Sequence, residues 1–154
     1  MPSPSHPPKS HLHALCRQYA QDRINACQQA IDAAQESANS ETKSSAGDKY
    51  ETGRAMAQNE RDRNAVQLQQ ALQLQGEVQR INPELPCDTV RPGALVATSM
   101  GRFYISISAG KLTVEGQDYF AVSAAAPVAA ALAGKRAGEQ AAFNGKPVRI
   151  ESIA

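Results

Sequence analysis

Apolar residues change their period once along this chain, and that change divides it in two. From Ser10 to about Ala38 there is neither Pro nor Gly, and Ala20, Ile24, Cys27, Ile31, Ala34 and Ala38 recur at alternating spacings of four and three. That rhythm is the seam of a coiled coil. Leu12, Leu15 and Tyr19 carry the stripe toward the N-terminus, while Gln18, Gln21, Asp22, Gln28 and Gln29 supply the solvated faces. A first helix is therefore expected over about 10–40, with Ser10 as its N-cap. Ser40, Thr42, Ser44, Ser45 and Gly47 then break the pattern, since their side chains compete with helical hydrogen bonds or suit turns. A second helix is expected from about Asp48 to Ile81, where Ala71, Leu74, Val78 and Ile81 resume the rhythm and Leu68 and Leu72 widen the stripe. Pro83 and Pro86 end it.

Each helix has one apolar stripe to cover, so the two should lie antiparallel as a hairpin, roughly 45 Å long at the α-helical rise. The middle of the second helix, Gln58 to Asn64, is almost wholly polar, which leaves the distal half weakly held. After Pro86 the period becomes two. Strands are expected at Ala94–Thr98, Arg102–Ser108, Lys111–Val114, Tyr119–Val122, Gln140–Phe143 and Val148–Ile153. Between the fourth and fifth, Pro127 and Gly134 bracket one short alanine-rich helix. The expectation is an α+β protein: a tail at 1–9, a coiled-coil hairpin at 10–82 with its tip near 40–51, a linker at 83–88, and a small antiparallel sheet with one helix at 89–154.

Composition narrows what such a chain can do. Only 5% of the 154 residues are aromatic and none is Trp, so neither part can bury a generous core. Sixteen basic against fifteen acidic side chains give a net charge of +1, which offers no global field for gripping free nucleic acid. The proline- and serine-rich stretch Met1 to Lys9 has no apolar run, so it reads as a disordered tail of a cytoplasmic protein rather than a signal peptide or membrane span. Cys16, Cys27 and Cys87 form no CxxC pair and their odd number argues against a disulfide framework. His11, His13 and Cys16 lack a fourth zinc ligand, and there is no Gly-rich phosphate loop or HExxH motif.

Two segments resemble the Gre transcript-cleavage factors of bacterial RNA polymerase. Ser123 to Glu139 is similar to the family's Ser-Pro-hydrophobic-Ala-x-Ala-Leu-x-Gly-Lys-x-x-Gly-Asp signature, with Ala126 in place of the serine and Glu139 in place of the aspartate. Gly47-Asp48-Lys49-Tyr50-Glu51 resembles the Gly-Asp-x-x-Glu of the family's hairpin tip. The resemblance implies an FKBP-like second domain and a hairpin that enters the polymerase secondary channel. It implies that Asp48 and Glu51 help hold a second Mg²⁺ in the polymerase active site, against the RNA 3′ end, with no cofactor bound stably by the chain itself. A second metal there would activate water for phosphodiester hydrolysis, and Mg²⁺ suits carboxylate oxygens. Asp-x-x-Glu at a helix start is equally a capping box, and the two readings stand side by side.

Thr52-Gly53-Arg54-Ala55-Met56 departs from the family's Asn-Ala-Glu-Tyr run after the tip, which points toward a channel-binding regulator without cleavage. Gly53 costs roughly 1 kcal/mol relative to Ala inside a helix and suits close approach to a partner surface. Lys135 and Arg136 follow the short helix and could meet an acidic partner surface, although a basic pair there also suits the helix dipole. A reading of another class is a coiled-coil interaction module that self-associates or binds another protein.

Overall fold

The computed structural model describes residues 7–44 and 48–154, with side chains placed for these except Pro7, Ala38, 41–44 and 48–51. Two long helices, α1 (Pro7–Ser44) and α2 (Asp48–Gln79), are followed by strands β1 (Leu95–Thr98), β2 (Gly101–Ser106), β3 (Gly110–Val114) and β4 (Gln117–Ser123), then helix α3 (Pro127–Leu132), then β5 (Gln140–Phe143) and β6 (Lys146–Ile153). This is the α+β arrangement the change of period implies. The described residues fall into two compact units: those up to Tyr19 together with Gly76–Ala154, and Ala20–Gln75. Among the described residues no helix is long and apolar enough to cross a membrane.

In the Ala20–Gln75 unit the helices run antiparallel. The Gln75 side chain donates to that of Gln21, and Arg61 donates to Gln35, so fourteen positions forward on α1 match fourteen back on α2. The seam is narrow. Its buried positions are Ala20, Ala34, Ala57 and Ala71, with Ile24, Cys27, Ile31 and Leu68 half-buried. A buried methyl contributes less than a large side chain would, about 0.8 kcal/mol per carbon, so this pairing is weak per residue. On α2 the four-three spacing continues through the polar middle, where Arg61 and Asn64 are half-buried. Leu72 does not widen the stripe as expected: it is 47% exposed, because one step beyond Ala71 turns it well off the seam.

In the other unit the six strands form one sheet in the order β3-β4-β2-β1-β6-β5. The expected all-antiparallel sheet departs at one pair. Strands β2 and β4 are parallel, with Phe103 beside Phe120 and Ile105 beside Val122. Glu115 and Gly116, both at positive φ, close β3 onto β4 in a two-residue hairpin, so β4 enters beside β2 and β3 is left at the edge. Central β2 needs partners on both faces. Phe103 and Ile105 join Val90, Val96, Ala129, Leu132, Val148 and Ile150 in the core under α3. Tyr104, Ser106 and Ile107 are also buried, on the side where the first turns of α1 supply His13 and Cys16. The sheet thus has helix on both faces, beyond the single covering helix expected.

Helix α3 starts with Pro127 and is followed by Gly134 at φ 76, as its boundary residues imply. Its N-cap, Ala126, makes no side-chain cap. Ala126→Ser should let a hydroxyl accept from a free N–H of the first turn and raise stability by about 0.5–2 kcal/mol. Urea denaturation measures this, and an unchanged or lower midpoint would show that the cap site is already satisfied or sterically closed.

Candidate functional site

Helix α1 ends at Ser44 and α2 begins at Asp48, so the backbone of Asp48 and Glu51 belongs to the first turn of α2. The two residues are three positions apart along that helix. Their side chains, with those of Glu41, Lys43 and Lys49, lie outside the described ones. Glu36 is exposed on α1. Just past the tip, Gly53, Met56, Ala57 and Glu60 follow the three-four spacing and, with Ser37 of α1, line a surface groove of about 420 Å³. Gly53 lines that groove without a side chain, and Met56 is 66% exposed beside it.

Lys135 and Arg136 sit on the turn after α3. Their backbone is tied to the segment before β1: Val90 N–H donates to the Lys135 carbonyl, and Gly134 N–H to the Val90 carbonyl. Lys135 is half-buried. The Arg136 guanidinium lies 3.4 Å from Asp88 in an exposed pair, and the Arg136 backbone N–H donates to Glu139 Oε1 at 2.7 Å. Glu139 therefore closes the Arg136–Glu139 turn itself. The Ser123–Glu139 signature describes a helix and turn built on Pro127, Gly134, Gly138 and Glu139, with Arg136 already facing an acidic side chain of its own chain.

No family model matches the chain, and no curated protein matches it. A solved structure does. Described as "GreA factor homolog 1 (Gfh1)" of Thermus thermophilus, it is 15% identical, with a TM-score of 0.37 over 90% of this chain and 94% of that one.

Sequence reasoning missed a buried polar set at the start of α1. The helix begins at Pro7, three residues ahead of the expected start, and carries Lys9 with no exposed surface. Lys9 Nζ donates to the Leu85 carbonyl at 2.8 Å and the Ala154 carbonyl at 3.1 Å, and lies 3.8 Å from Cys87 Sγ. Three ammonium hydrogens thus meet three acceptors. Burial lowers its pKa from the ordinary lysine value, the Cys87 thiol pulls the other way, and Arg91 adds to the lowering. One turn on, His13 Nδ1 is 3.3 Å from the Tyr104 hydroxyl. Burial pushes the Tyr104 phenol up, and the nearby Cys16 and Cys87 thiols add to it. Next, the Cys16 thiol is pushed up to about 11 by burial, offset in part by the neighbouring Ser106 hydroxyl and Ile107 backbone. Ser106 Oγ itself is buried without a full hydrogen-bond partner among the described residues.

The signal for this set was present. Lys9, His13 and Cys16 are spaced i, i+4, i+7, so they share one helical face with the apolar residue Leu12 beside it. His11, by contrast, is exposed, so the two histidines of the HxH pattern point different ways.

Burial with Arg17 nearby holds His13 below the usual histidine pKa, burial being the larger cause. The unfolded chain then binds a proton that the folded chain resists, so stability is intact above the unfolded value near pH 6.5 and falls as pH drops below it. Urea midpoints from pH 7.5 to 5 should decline for the natural chain and decline less for His13→Gln. Equal slopes would place the acid sensitivity elsewhere.

Proposed function

We propose that this chain is a Gre-type accessory factor that binds bacterial RNA polymerase in the cytoplasm through the secondary channel. The observation that carries the reading is the antiparallel α1–α2 pair whose turn bears Gly47-Asp48-x-x-Glu51. A slender hairpin with a carboxylate pair at its turn is suited to delivering acidic ligands into a narrow channel. Asp48 and Glu51 would offer oxygens to a Mg²⁺ held jointly with the polymerase and the RNA 3′ end, and hydrolysis would belong to the polymerase. The small sheet with its α3 turn signature supports the same reading as an FKBP-like second domain.

A specific observation favours a second reading. The residues after the tip, Thr52 to Met56, lack the family's Asn-Ala-Glu-Tyr run, and two of them, Gly53 and Met56, line a surface groove instead. On that reading the chain occupies the channel and retunes transcription without cleavage. One assay separates the two: a stalled, backtracked elongation complex, scored for RNA 3′-end shortening and for co-migration of this chain with polymerase. Mg²⁺-dependent shortening assigns cleavage stimulation. Co-migration without shortening assigns the non-cleaving regulator, and the absence of both effects returns the chain to a self-associating or protein-binding coiled coil.

A further inference from the structure

Away from the hairpin tip, the reactive side chains concentrate where the start of α1 meets the sheet. Lys9 and Cys87 are 78 positions apart in sequence, yet the amine and the thiol lie 3.8 Å from one another, both buried. The Leu85 and Ala154 carbonyls, at 2.8 and 3.1 Å, fix Nζ beside the sulfur. We propose that Lys9 and Cys87 form a redox modification site, where oxidation by a peroxide closes a covalent Nζ–Sγ cross-link, a sulfenamide.

The chemistry balances in two steps. The Cys87 sulfur attacks one peroxide oxygen; an S–O bond forms, the O–O bond breaks, and the other oxygen takes the thiol proton and leaves as water, giving the sulfenic acid. The Lys9 amine then attacks the oxidised sulfur; an S–N bond forms, the S–O bond breaks, and a second water leaves with a proton from nitrogen. Sulfur loses two electrons, and the peroxide gains them. Sulfenic acids condense with a backbone nitrogen to a sulfenamide, and an amine held against the sulfur is a nucleophile of the same kind. Burial, which disfavours charge on Lys9, favours the free amine that completes the sequence. The separation is close to that of a near-attack pair, roughly 3–3.5 Å.

Access selects the oxidant. Cys87 keeps 8% of its residue surface, so the oxidant proposed is a small neutral peroxide rather than a bulky disulfide. Cys16, with no exposed surface and a thiol pushed up to about 11, stays protonated and unreactive beside it. The cross-link would tie the first turn of α1 to the segment that follows α2, and it stands independently of the polymerase reading.

The test treats the folded full chain with hydrogen peroxide, then denatures it in acid, blocks free thiols and maps peptides by mass. The expected product joins the Lys9 and Cys87 peptides, two hydrogens lighter than their sum, and dithiothreitol separates it. Lys9→Arg, which keeps the charge, should yield no joined product and should let Cys87 proceed to the sulfinic acid. Recovery of Cys87 from the natural chain as sulfinic acid, disulfide or free thiol, with Lys9 unlinked, would overturn the proposal.

Discussion

Lys9→Ala is expected to remove about 3–5 kcal/mol of folding stability, the summed cost of unpaired buried acceptors and a vacated side-chain volume. The Leu85 and Ala154 carbonyls each lose their Lys9 donor, and the space of three methylenes and the ammonium opens where no solvent reaches. Lys9→Met refills most of that volume without restoring the hydrogen bonds, so it should recover part of the loss. Urea denaturation of the two variants separates the packing part from the hydrogen-bonding part. A loss below about 1 kcal/mol for the alanine variant would mean that the amine is replaced by water at little cost.

Asp48→Asn combined with Glu51→Gln should lower stimulated RNA cleavage about a hundredfold or more, in line with removing charge from a metal-assisted transition state. The pair is chosen because Asn caps a helix about as well as Asp, and Gln serves in a capping box as Glu does. Stability and polymerase binding should therefore stay within about 0.5 kcal/mol of the natural chain. A drop in cleavage with no drop in stability assigns the carboxylates to metal chemistry. Unchanged cleavage would leave them a capping role alone.

Much of the fold was legible because it rests on period. The seam positions Ala20, Ile24, Cys27, Ile31 and Ala34 are all buried or half-buried, and each expected strand is present within a few residues. Pairing was less legible. The parallel contact of β2 with β4 joins strands that are not adjacent in sequence, and no local pattern encodes which edge a returning hairpin takes. The Asn144-Gly145 turn between β5 and β6 was a readable hairpin signal, with both residues at positive φ. Lys135 and Arg136 follow α3 in the chain, but sequence could not reveal that Asp88 faces Arg136 from 48 positions away.

The buried set at the start of α1 escaped for a different physical reason. Polar residues on an apolar stripe read as solvated unless their partners are known, and those partners, Leu85, Cys87, Tyr104 and Ala154, come from distant segments. Only the i, i+4, i+7 spacing of Lys9, His13 and Cys16 hinted that one face carried all three.

The central claim is that the α1–α2 turn reaches the polymerase active site, and localised radical footprinting tests it most directly. Fe²⁺ is put in place of the catalytic Mg²⁺ of a backtracked elongation complex, peroxide is added, and the bound chain is mapped for backbone cuts. The account predicts cuts confined to the neighbourhood of Asp48 and lost when excess Mg²⁺ displaces the iron. Cuts in the strands between Leu95 and Ile153, or a chain that binds and is left whole, would contradict it.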